Sequence, residues 1–137
     1  MLAMLRQLSG YGTRPARVAR IARLNDALRA RPLSTPNSRV LFSPGIMELA
    51  VANRDNDDIT GAVVLRNELL MLVRDAMADN VFCPMDERRQ GTMTYHGVRC
   101  CFRIDYRGQD LYSQARDLAN ASTTIRSLSV KLASEDC

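Results

Sequence analysis

Ten consecutive residues constrain the fold more than any other part of this chain. Val98, Cys100, Phe102, Ile104 and Tyr106 alternate with Arg99, Cys101, Arg103, Asp105 and Arg107. A period of two places the first set on one face of a β-strand and the second on the other. The run Gln90-Gly91-Thr92-Met93-Thr94-Tyr95 precedes it, joined by His96-Gly97. With His96-Gly97 as a two-residue hairpin turn, Tyr95 opposes Val98, Thr94 opposes Arg99 and Met93 opposes Cys100. Apolar then meets apolar and polar meets polar, so turn and pattern agree on one register.

Other elements follow from their own signals. Thr13 can cap a helix with Pro15 in its first turn, running to about Ala30. Val18, Ile21, Ala22, Leu24, Asn25 and Leu28 form its stripe, and Arg14, Arg17, Arg20, Arg23, Arg29 and Arg31 take much of the rest. Arg39-Val40-Leu41-Phe42 predicts a buried strand that joins the sheet. Ser43-Pro44 opens a short helix to about Ala52. Ile59 to about Met77 predicts a long helix, capped by Asp57 or Asp58, whose apolar face includes Leu69, Leu70 and Val73. Leu111-Tyr112 reads as a short further strand. The segment from Ser122 to about Glu135 reads best as a helix, with Ile125, Leu128 and Leu132 on one face; Leu128, Val130 and Leu132 also fit a strand. Residues 1–12 show little period and are expected to be loosely attached. The fold class is therefore α+β in a single domain of 137 residues: a small antiparallel sheet centred on the hairpin over 90–106, covered on one face by helices.

Function classes can be weighed against this outline. No apolar run reaches the length of a membrane span, and a cytoplasmic location is expected. The cysteines are Cys83, Cys100, Cys101 and Cys137, without a Cys-x-x-Cys pair, and the single histidine, His96, falls in the turn. A metal site usually shows paired ligand spacing, so neither metal nor cofactor is expected. Cys100 reads as a small buried apolar residue and the other cysteines as reduced thiols. There is no glycine-rich phosphate loop and no nucleophile elbow. Adjacent carboxylates such as Asp57-Asp58 and Asp86-Glu87 make an acid/base pair only if the fold converges them. No catalytic residue is assigned.

Charge is the feature that bears on partners. The net charge is +4, but Met1 to Arg39 holds eight arginines and one acid, a local +7, against −3 over the remainder. The default for such arginines is a solvated helix face. Arg14, Arg17, Arg20 and Arg23 on the helix, with Arg99, Arg103 and Arg107 on the hairpin strand, form the candidate basic contact surface. The aromatics Tyr95, Phe102 and Tyr106 fall on the opposite, apolar side of the strand. That disfavours base stacking and favours a protein-facing or merely solvated surface.

Four pieces in this order resemble a family of small bacterial proteins, the domain of unknown function 3768 family. They are Arg20-Ile21-Ala22-Arg23-Leu24-Asn25-Asp26-Ala27-Leu28-Arg29, Arg39-Val40-Leu41-Phe42-Ser43-Pro44-Gly45-Ile46, Phe102-Arg103-Ile104-Asp105-Tyr106, and Thr123-Thr124 leading to Leu132-Ala133-Ser134-Glu135. Family members carry a His- and Asp-bearing segment just before the hairpin; here Asp86-Glu87-Arg88-Arg89-Gln90-Gly91 puts arginines at those two positions. The resemblance implies an accessory protein of plasmids, phages or integrated elements. The expected function is therefore non-enzymatic binding, with a protein partner such as a host defence complex of the CRISPR or restriction type. Direct nucleic-acid binding through the N-terminal arginines is the alternative, and an enzyme comes third.

Overall fold

The computed structural model describes residues 13–52, 59–77, 86–109 and 117–135, and the backbone alone at 59–65. Helix α1 spans Arg14–Ala30. The Thr13 hydroxyl accepts from the Ala16 N–H at 3.2 Å, and a proline stands in the first turn. The cap satisfies an end amide, and proline has no N–H to leave unpaired there. Strand β1 is Ser38–Phe42, helix α2 is Pro44–Ala52 and helix α3 is Ile59–Ala76. Strands β2 (Gln90–Tyr95), β3 (Val98–Arg107) and β4 (Ile125–Leu132) follow, and a 3-10 turn ends the described chain at Ala133–Glu135. The loosely attached start, the Asp57 or Asp58 cap and the Leu111-Tyr112 strand all fall outside the described residues.

The hairpin has the register that its alternation predicts. Tyr95 pairs Val98, Thr94 pairs Arg99 and Met93 pairs Cys100. His96 and Gly97 have φ of 48° and 77°. Positive φ at both central residues matches the strand twist as a type I′ turn does, which glycine adopts without strain.

The four strands run in the order β1-β4-β3-β2. β2 and β4 flank β3 antiparallel, while β1 joins β4 parallel, with Val40 beside Leu128. The fold is α+β with a small sheet, and the sheet is mixed rather than purely antiparallel. The C-terminal segment is the main correction: 125–132 is a strand, not a helix. It sits between β1 and β3, so Arg126, Ser127 and Leu128 are all buried in succession. Flanked by a strand on each edge, β4 buries Ser127 even on the open face, and Ile125, Leu128 and Leu132 repeat at a helical spacing that competed with the alternation of Leu128, Val130 and Leu132.

Three helices cover one face. Phe102, Ile104, Leu128 and Val130 meet Ile21 and Leu28 of α1, Ile46 and Ala50 of α2, and Leu69 and Val73 of α3 in one buried cluster. Cross-strand pairing carries Arg99, Cys101, Arg103, Asp105 and Arg107 to the other face, with Thr92, Thr94, Ser127, Ser129 and Lys131. No described helix is long and apolar enough to cross a membrane.

Candidate functional site

Two polar assemblies stand out, one on each side of the sheet. The first lies where α1, the end of β3 and the 86–89 segment meet. Asn25 is fully buried on α1. Its Nδ2 donates to the Tyr106 hydroxyl at 2.8 Å and to the Glu87 carbonyl at 3.0 Å. Its Oδ1 accepts from Arg126 Nε at 3.0 Å, and Arg126 also donates to the Leu118 carbonyl. Tyr106 in turn donates to a Glu87 carboxylate oxygen at 3.0 Å. The donors and acceptors run in one direction, Arg126 to Asn25 to Tyr106 to Glu87. Arg126 and Arg89 also stand over the Tyr106 ring, at 5.4 Å and 5.0 Å.

Arginines close this assembly at its edge. Arg29 is 3% exposed and not part of a solvated helix face. It lies on the inward side of α1, salt-bridged to Asp26 and donating to the Arg88 carbonyl. Arg88 pairs with the same Asp26 at 2.8 Å, and Arg89 pairs with Asp105 at 3.2 Å. Arg88 has a φ of 55°. Asp86 accepts from its N–H at 2.7 Å and Arg29 holds its carbonyl, so two contacts fix a conformation that costs a non-glycine residue energy. Burial pulls the Arg29 and Arg126 pKa values down against the raising effect of nearby acidic groups. Burial pushes the Tyr106 phenol up to about 12.

The segment from Asp86 to Arg89 is thus tied down by hydrogen bonds and ion pairs within the chain. These contacts join α1 to the sheet, the task that buried and satisfied polar networks serve. Sequence reading assigned Asn25 to the apolar stripe and Tyr106 to the core. Their spacing said nothing of a partner some eighty residues away, and Arg29 looked like its exposed neighbours.

The second assembly is the open face of the sheet. Arg39 and Arg99 are exposed, Arg107 is exposed and donates to its neighbour's carbonyl, and Lys131 is half-buried. Arg103 ion-pairs with Asp105 at 3.1 Å. Ser127, Ser129, Thr92 and Thr94 fill the spaces between them. A cavity of about 370 Å³ lies on this face over Cys101. Cys101 is disulfide-bonded, its partner lying outside the described residues, while Cys100 is free and buried. The reduced-thiol reading therefore fails for Cys101. Pairing depends on convergence in space, which cysteine spacing alone does not reveal.

The seven arginines of the candidate surface divide between these two sides. Arg14, Arg20 and Arg23 are exposed on α1, and Arg17 pairs with Asp117 at 3.1 Å. That helix covers the face opposite Arg99, Arg103 and Arg107. The fold brings the three strand arginines together, adding Arg39 and Lys131, and keeps the helix group apart from them. Alternation alone could have flagged Arg39, two residues before Leu41 in the same strand. Lys131 was hidden by the helical reading of its segment. Among the described residues, no group of three His, Cys, Asp or Glu side chains is placed to hold a metal. No protein-family model, no curated protein and no solved structure matches this chain.

Proposed function

We propose that this protein acts by binding, without catalysis, and that the open sheet face docks an acidic surface of a partner protein. One observation carries the reading. Arg39, Arg99, Arg103, Arg107 and Lys131 share that face with a single described acid, Asp105. Strand geometry spaces Arg99, Arg103 and Arg107 at about 13 Å intervals along β3, from four residues at strand rise. A rigid row of cations favours an acidic partner and speeds encounter with it. The face carries no described aromatic side chain, and single-stranded nucleic acid usually needs one for stacking.

In its most concrete form the partner is a component of a host defence complex, a version that rests on the family resemblance. The test is affinity capture from a host lysate with the wild type and with an Arg39→Glu, Arg99→Glu, Arg107→Glu variant. A defence component retained by the wild type and lost by the variant, with restriction or interference reduced on expression, supports it. Equal capture by both proteins, or unimpaired defence, overturns it.

Exposed Arg14, Arg20 and Arg23 favour a second reading, nucleic-acid binding through α1. None of the three has a carboxylate partner among the described residues. A gel shift that weakens steeply with salt and disappears in an Arg14→Ala, Arg20→Ala, Arg23→Ala variant supports that reading; no shift at low salt removes it.

A further inference from the structure

We infer that the cavity over Cys101 is a binding site for a compact organic oxyanion, a phosphate ester or a carboxylate. Its walls follow from the register of three strands. Thr92, Cys101 and Lys131 form one cross-strand row, and Gln90, Arg103 and Ser129 form the next on the same face. A small side chain stands at Ser129 next to the Cys101 disulfide, with long ones at Gln90, Arg103 and Lys131 around them. A short residue inside a rim of long ones leaves the concavity of about 370 Å³. That volume lies at the lower end of pockets that hold small molecules, about 300–1,000 Å³.

The chemistry of this lining is that of an anion site. Lys131 supplies an ammonium, Arg103 a guanidinium, Thr92 and Ser129 hydroxyls, and Gln90 a carboxamide. No described carboxylate lines the cavity. Asp105 engages Arg103 through Nε and Nη2, which leaves Nη1 as a donor free of that ion pair. Arg103 and Lys131 are diagonal neighbours on antiparallel strands, about 7–8 Å apart at the backbone. Long side chains at that separation can converge on one oxyanion, Arg103 as a planar fork and Lys131 as a point charge. The apolar part of the ligand would lie beside the Cys101 disulfide. This site requires no macromolecular partner, so it stands or falls separately from the docking proposal.

The test is a titration followed by backbone amide NMR, with inorganic phosphate, pyrophosphate, glycerol phosphate and citrate, and sodium chloride at matched ionic strength. Saturable shifts are expected at Thr92, Cys101, Arg103, Ser129 and Lys131. Lys131→Ala should weaken binding by about tenfold, the effect of one lost charge-assisted contact. Ser129→Asp should abolish it, because a carboxylate then occupies the cavity. Arg66→Ala on exposed α3 removes the same charge elsewhere and should leave binding unchanged. Preference for the phosphates over citrate identifies a phosphoryl ligand, and the reverse a carboxylate. Shifts spread evenly over exposed arginines, equal weakening by Arg66→Ala, binding that survives Ser129→Asp, or no saturable binding by any probe would each overturn the inference.

Discussion

Asn25 Nδ2 donates to the Tyr106 hydroxyl across 2.8 Å, joining α1 to the central strand β3 within the core. The same carboxamide accepts from Arg126 of β4, so one side chain links a helix and two strands. Removing it leaves buried partners without their bonds, which costs more than the bond itself contributes. Asn25→Leu should lower unfolding free energy by about 2–4 kcal/mol, from two or more orphaned groups. Tyr106→Phe removes a hydroxyl at less cost, about 1–2 kcal/mol. Denaturant unfolding of both variants and their double mutant should give a coupling of about 0.5–3 kcal/mol. Additive losses would mean that the two residues do not act together.

Alkaline pH gives an independent reading of the same hydroxyl. The folded Tyr106 pKa lies at about 12, above its ordinary 10, chiefly because burial disfavours the phenolate. Below pH 10 the phenol is neutral in both states and the network is at full strength. Above pH 10 the unfolded state releases the proton first, so stability falls as pH rises from 10 towards 12. Phenolate absorbance should lose a late-titrating component in Tyr106→Phe. Loss of an ordinary, early-titrating tyrosine instead would contradict the burial.

Residues that define a surface were legible in the sequence, and residues that link surfaces were not. The Tyr95–Val98 register and the bounds of α2 came from a turn and a cap, signals that act within a few residues. The strand at 125–132 was obscured because an inner strand, flanked on both edges, places even the polar Arg126 and Ser127 inside. Arg29 and Asn25 differ from other residues of α1 only through what lies opposite them. Likewise the open basic face needed β1 and β4 to be set beside β3 before Arg39 and Lys131 could join Arg99, Arg103 and Arg107.

Asp26 holds two arginines at once, Arg29 and Arg88. Arg29 is buried, so taking away its carboxylate leaves a cation in the interior. Water still reaches Asp26, whose side chain is 45% exposed, and this moderates the loss. Asp26→Ala should destabilise by about 1–3 kcal/mol, below the range for a fully buried pair. Arg29→Met on the Asp26→Ala background should recover part of the loss, because an apolar chain replaces the unpaired charge. Thermal unfolding of the three proteins checks the order.

Gly91 is a glycine because Phe102 lies across it. A Cβ at this position would stand 2.5 Å from Phe102 Cζ and 3.0 Å from Met77 Sδ. Phe102 is 1% exposed and cannot swing aside without disturbing the core. Gly91→Ala should therefore cost about 1–3 kcal/mol, as overpacking does, although alanine is otherwise no worse than glycine in a strand. Combining it with Phe102→Leu should make the alanine less costly than it is alone. An unchanged cost in that background would place the strain somewhere other than the ring.

Glu135 ties the end of the described chain to the start of α2. Its carboxylate accepts from the Ser43 hydroxyl, from the Gly45 N–H at 3.2 Å and from the Leu132 N–H at 2.9 Å. An anion at a helix N-terminus also meets the positive end of the helix dipole. These bonds, Ser43 first, hold the Glu135 pKa below its ordinary 4.5. A carboxylate depressed in the folded state contributes stability that is complete above its unfolded pKa. That contribution is lost as pH falls from about 4.5 through the lower folded value. Glu135→Gln should lower stability at neutral pH and flatten the acid limb of the stability curve, leaving wild type and variant closest at the lowest pH. Gly45 offers a steric check, since a Cβ there would stand 2.6 Å from the Glu135 carboxyl carbon. Gly45→Ala should displace the carboxylate and flatten the acid limb in the same way, and an acid limb that keeps its wild-type slope in both variants would remove Glu135 as its source.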